Sequence, residues 1–90
     1  MRKKIINLVL PDAPLSQGDK GMDVERLQLC LDHYFKLKGK KKITANEPAR
    51  FGEMTWNYLM RFQAENIEGI PFRIGQLDAV TRQRLREVLQ

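Results

Sequence analysis

From Asp23 onward, apolar side chains fall at Val24, Leu27, Leu31, Tyr34 and Phe35, with Cys30 beside them. Steps of three and four place these positions on one face of a helix, which predicts a first helix over about Asp23 to Phe35. A second begins after Phe51-Gly52, where Glu53 in the first turn suits the positive end of the helix dipole. It runs through Thr55, Trp56, Tyr58, Leu59, Met60 and Phe62 with a wide apolar arc, so most of its surface is expected to be covered. A third opens at Asp78, whose carboxylate can accept backbone N–H groups as a cap, and continues through Val80, Thr81, Leu85, Val88 and Leu89. Arg82, Arg84 and Arg86 project mainly off its apolar stripe.

Between the helices the period changes. Leu15 to Gly21 contains Gly18 and Gly21, which permit tight-turn conformations just before the first helix. Lys36 to Arg50 contains five lysines, Gly39 and Pro48 and has almost no apolar period, so it is expected to be a solvated basic loop. Ile70, Phe72 and Ile74 alternate as in a short strand, predicting a small ribbon or ordered turn. The first fourteen residues, basic at Arg2, Lys3 and Lys4 and ending in Pro11 and Pro14, read as an extended arm. The expected fold is all-α: a compact three-helix bundle with ordered turns, formed by residues 15–90 and preceded by an arm over residues 1–14. A chain of 90 residues can bury about two-thirds of the surface it exposes when unfolded, enough for a core but leaving little room for a deep cleft.

The turn-plus-helix unit occurs twice. Phe51-Gly52-Glu53-Met54-Thr55 with Leu59 four residues beyond the threonine matches Leu77-Asp78-Ala79-Val80-Thr81 with Leu85 four beyond, and Leu27-Gln28 is echoed by Phe62-Gln63. Physically, Phe51 and Leu77 are wedges under a helix start, and the threonines one turn in can bond back to the turn. Gln28 and Gln63 are expected to tie a loop backbone to a helix.

These residues resemble the peptidoglycan-binding-domain family, the three-helix wall-anchoring module found beside many bacterial and phage lytic enzymes. Leu15, Gly18, Asp19, Gly21, Val24, Leu27, Gln28 and Leu31 meet its first block; Phe51, Gly52, Thr55, Phe62 and Gln63 meet its second, with Leu59 in place of valine. Gly75, Leu77, Thr81 and Leu85 keep the spacing of the third, with Asp78 in place of glycine. The sequence departs from the pattern at Pro48-Ala49, where the family usually has Asp-Gly, and at Tyr58, where it has a small alanine. The resemblance implies a noncatalytic module that binds peptidoglycan, through its glycan strand or stem peptide, and localises a lytic enzyme or partner at the wall. A different use of the same fold, as a structural or protein-interaction domain of a phage particle or secretion-linked complex, is the alternative.

Charge and chemistry refine this picture. Sixteen Lys and Arg against eleven Asp and Glu give a net charge of +5, which favours polyanionic partners. The lysine run from Lys36 to Lys42 could attract a wall polymer or nucleic acid or serve only as a soluble loop. Nucleic acid is the disfavoured partner, because the turn spacing is not that of a helix-turn-helix. One histidine, His33, and one cysteine, Cys30, supply neither a metal-ligand spacing nor a nucleophile–base pair, so no metal, cofactor or enzymatic activity is expected. The candidate ligand contacts are Arg50 and Arg73, for a bidentate pair with a stem-peptide carboxylate, and Trp56 and Tyr58, of which Trp56 is the better placed to show a ring face to solvent. No apolar run is long enough for a membrane span, and Ile5 to Leu10 is too short for a signal-peptide core. Synthesis in the cytoplasm is therefore expected, with action at the wall after lysis or within a phage particle.

Overall fold

The computed structural model describes residues 8–89. Four α-helices follow in order: α1 (Met22–Tyr34), α2 (Ile43–Asn46), α3 (Glu53–Asn66) and α4 (Ala79–Leu89). Among the described residues there is no strand, and the fold is a small all-α bundle. The apolar faces read from the spacing meet in one core: Val24, Leu27, Cys30 and Leu31 from α1, Leu59 and Phe62 from α3, and Leu85 from α4. Phe51 and Leu77, just before α3 and α4, are buried in the same cluster as wedges. Burial of a side chain of this size contributes about 1.5–3 kcal/mol, which makes this cluster the main stabilising element.

The two corners that carry the wedges are joined by residues 15–21. Leu15 and Leu77 exchange backbone hydrogen bonds of 3.1 and 2.8 Å, while the Gly18 N–H donates to the Phe51 carbonyl and the Phe51 N–H to the Asp19 carbonyl. The Gly21 N–H then donates to Ala49. Gly18 and Gly21 have φ of 103° and 118°, left-handed values that a β-carbon disfavours. The turn is thus an extended splint across both corners. The described part of the arm also packs against the bundle: Pro11 is buried, its carbonyl accepts from Arg82 Nε at 2.7 Å, and the Asp12 N–H donates to Asp23. The apolar positions Ile5 and Ile6 of the arm lie outside the described residues.

Two expectations are corrected. The stretch after α1 is not simply a solvated loop: it forms a 3-10 turn at Gly39–Lys41 and then α2, and Ile43 is fully buried. A single buried residue in a four-residue helix leaves no period to read, and the side chain that caps the helix, Asp32, comes from α1. The alternation at Ile70, Phe72 and Ile74 does not make a strand. Ile70 and Ile74 are exposed, Phe72 is half-buried, and the chain turns at Arg73–Gln76.

Candidate functional site

Each corner is closed by a buried amide. Gln28 Nε2 donates to the carbonyls of Glu47 and Arg50 and to Thr55 Oγ1 at 2.6, 2.9 and 3.1 Å, and its Oε1 accepts from the Ala49 N–H. Gln63 repeats the set: Nε2 donates to the carbonyls of Arg73 and Gln76 and to Thr81 Oγ1, and Oε1 accepts from the Gly75 N–H. The partners stand 19, 21, 22 and 27 residues from Gln28 and 10, 12, 13 and 18 from Gln63, a constant difference of nine. Glu47, Ala49, Arg50 and Thr55 are therefore the counterparts of Arg73, Gly75, Gln76 and Thr81. The corners are two copies of one clasp, with nine extra residues in the first.

The copies differ in which residue supplies the helix cap. Asp78 caps α4, its Oδ1 accepting the Thr81 N–H at 2.9 Å and its Oδ2 the Arg73 N–H at 2.8 Å. The counterpart of Asp78 is Gly52, which has no side chain, and Glu47 takes over: its carboxylate accepts the N–H groups of Gly52, Met54 and Thr55 and the Thr55 hydroxyl. A methyl group on Gly52 would lie 2.5 Å from Glu47 Oε2, so the space that Asp78 fills in one corner is occupied from across the loop in the other. Burial alone would raise the Glu47 pKa; the hydrogen bonds from Met54, Thr55 and Gly52 outweigh it and hold the carboxyl below its ordinary value. Asp78 is lowered in the same way, burial being outweighed by bonds from Thr81 and Arg73.

Three of the four candidate ligand residues, Arg50, Trp56 and Arg73, lie at the two corners, which meet where Gly75 packs on Trp56. Arg73 is exposed on the second corner, and Gly75 two residues on packs so closely on the Trp56 indole that a β-carbon there would overlap the ring. Trp56, half-buried, lies one turn into α3 with its backbone N–H donated to the Gly52 carbonyl, and the exposed Arg50 is placed so that a methyl on Gly52 would be 3.0 Å from its Nη1. Tyr58 is not part of this group. It sits about 200° around α3 from Trp56 and packs on Phe35, with Arg61 placed over both rings. Gly75 of the neighbouring corner, not open solvent, covers part of Trp56.

Of the other reactive groups, Cys30 is enclosed, Arg82 and Arg84 are engaged, and His33 is exposed. Cys30 is buried and its thiol pushed up to about 11 by desolvation, so it is protonated at neutral pH. His33 is exposed on α1, and the described residues hold no cluster of His, Cys, Asp or Glu fit for a metal ion. Arg82 and Arg84 donate to the carbonyls of Pro11 and Asn66, leaving Arg86 as the more exposed member of that trio. A groove of about 970 Å³ runs between the end of α3 and α4, lined by Ile67, Ile70 and Val80 together with Glu65, Glu68 and Arg84. None of the four candidate residues lines it.

Nothing in the residues around Glu47 marks it for this role. The available signal was a helix start at Gly52 with no capping side chain of its own. No described helix is long and apolar enough to cross a membrane. Comparison of the chain with protein-family models, curated proteins and solved structures gives no match.

Proposed function

We propose that this chain is a noncatalytic adhesion module of the peptidoglycan-binding-domain type, which holds a lytic enzyme or other partner at the bacterial cell wall. The observation that supports this reading is the duplicated clasp. The residues of the motif resemblance, Gln28 with Thr55 and Gln63 with Thr81, are bonded in pairs that fix the two loops carrying Arg50 and Arg73, and Gly75 of the second loop packs on Trp56. Guanidinium groups on rigid loops lose little freedom when they pair with a carboxylate, and an indole edge beside them offers an apolar contact for sugar or peptide. Binding at one module need only be modest, since a repeating polymer supplies many sites.

The test is co-sedimentation with purified insoluble peptidoglycan across a salt series, with duplex DNA as competitor. Binding should persist at moderate salt and resist DNA, and Arg50→Ala or Arg73→Ala should weaken it about tenfold with the fold retained, as expected for loss of a charge-assisted pair. The second reading, a protein-interaction domain of a phage particle or secretion-linked complex, draws on Ile70 and Ile74, exposed at 54% and 61%. No sedimentation at any salt, with a stable protein complex isolated instead, would select it.

A further inference from the structure

The nine residues by which the first corner exceeds the second lie between Gln28 and Glu47, in the segment that holds Lys36, Lys38, Lys40, Lys41 and Lys42. This segment is built, not loose. Ile43 is fully buried, the Asp32 carboxylate accepts the Ile43 N–H at 2.7 Å and the Thr44 hydroxyl at 2.7 Å, and Asn46 Nδ2 donates to the carbonyls of Lys40 and Lys42. The backbone under the lysines is therefore fixed while their ammonium groups face water. Among the described residues the two ion pairs are Arg26–Asp23 and Arg84–Glu87, and neither involves a lysine.

Beside this run lies a second groove, of about 560 Å³, with Leu8, Leu29 and Leu37 in its lining and Lys36, Lys38 and Lys42 around them. Leu29 is 45% exposed, and Val9, next in the chain to Leu8, is 58% exposed. The carboxylate at this groove, Asp32, is 5% exposed and bonded to the start of α2; its single charge is outnumbered by those of Lys36, Lys38 and Lys42, so the rim stays positive. A soluble polyanion would use the ammonium groups and leave the leucines wet. A lipid surface uses both, because anionic headgroups attract the lysines and the acyl boundary receives apolar side chains.

We propose that this face docks peripherally on an anionic phospholipid bilayer, with Lys36, Lys38 and Lys42 at the headgroup phosphates and Leu29 entering the boundary beneath them. The face shares no residue with the Arg50–Trp56–Arg73 group, so it stands or falls independently of wall binding.

Sedimentation of the full chain with vesicles of phosphatidylglycerol and phosphatidylcholine, against phosphatidylcholine alone, tests it. Binding is expected only to the anionic vesicles and should fall steeply as salt rises, the Debye length being about 10 Å at 0.1 M. Lys38→Gln/Lys42→Gln should weaken it about 25-fold, at about fivefold per lysine, whereas Lys20→Gln/Arg86→Gln, with the same loss of charge elsewhere, should change it about twofold. Leu29→Gln, at an exposed position, should cost about fivefold on vesicles. Equal binding to neutral vesicles, equal losses in the two charge pairs, or no binding to anionic vesicles at low salt would overturn the proposal. So would a Leu29→Gln variant that binds as well as the parent while duplex DNA competes fully, because the face would then read soluble polyanions.

Discussion

Ala49 and Gly75 hold the same place in the two clasps, each donating its N–H to the Oε1 of the clasping glutamine, and both have left-handed φ, 55° and 73°. For a residue with a β-carbon this region costs about 1–2 kcal/mol, partly offset because glycine loses more chain entropy on folding. Ala49→Gly should therefore raise stability by about 0.5–1 kcal/mol in urea denaturation. Gly75→Ala should lower it by more than about 2 kcal/mol, since its methyl would also meet the Trp56 ring, and part of that loss should be recovered in a Trp56→Ala background. The strain at Ala49 was visible in the sequence only as a departure from Asp-Gly, because handedness belongs to the folded backbone. The clasps themselves were legible, as Gln28 and Gln63 each follow a core residue at matching places in two helices. Both are fully buried with four bonds, so Gln28→Ala should cost about 2–4 kcal/mol by stranding the Arg50 carbonyl and the Ala49 N–H, while the Glu47 carbonyl keeps its bond from the Arg50 N–H. The separation of Tyr58 from Trp56 was available from helix geometry, yet a wide apolar arc gave no reason to prefer one face.

At the level of elements, the three long helices were readable because each repeats its apolar positions over several turns. α2 was not, since it has one buried residue and is capped by Asp32 from another helix. The exchange of cap between Glu47 and Asp78 is likewise a tertiary feature, and it makes a direct forecast. Glu47→Ala should cost about 1–3 kcal/mol by leaving the Gly52 and Thr55 N–H groups without an acceptor. Gly52→Asp should also destabilise, because its side chain would collide with Glu47. The double variant should regain about 1–2 kcal/mol over the sum of the two losses, because Gly52 has an extended backbone, φ −104°, in which an aspartate can cap as Asp78 does. Acid should act on both corners together. Glu47 and Asp78 have folded pKa values below their ordinary ones, so each favours the folded state fully above the unfolded value, about 4.3 for glutamate and 3.9 for aspartate, and ceases to as pH falls through the lower folded value. Urea midpoints should be level near neutrality and drop below about pH 4.3, with a smaller drop in Glu47→Gln.

Over the whole molecule, one clasp used twice and splinted by residues 15–21 gives a small scaffold whose corners are fixed relative to each other. The order of helices, the wedges at Phe51 and Leu77 and the shared core of Leu27, Leu59 and Leu85 could be read from periodicity and internal repetition, because these record local geometry and burial. The approach of the second corner to Trp56 could not be read to the same depth, since it depends on Gly75 seating against an indole nineteen positions earlier in the chain. Adhesion to the wall through those corners is the proposed function. Titration of the isotopically labelled chain with soluble muropeptides, followed by amide chemical shifts, tests it most directly. Saturable shifts should cluster at residues 49–52, at 73–76 and at the Trp56 indole N–H, while the amides of the lysine segment stay in place. Shifts confined to residues 36–42, or none at millimolar muropeptide, would contradict it.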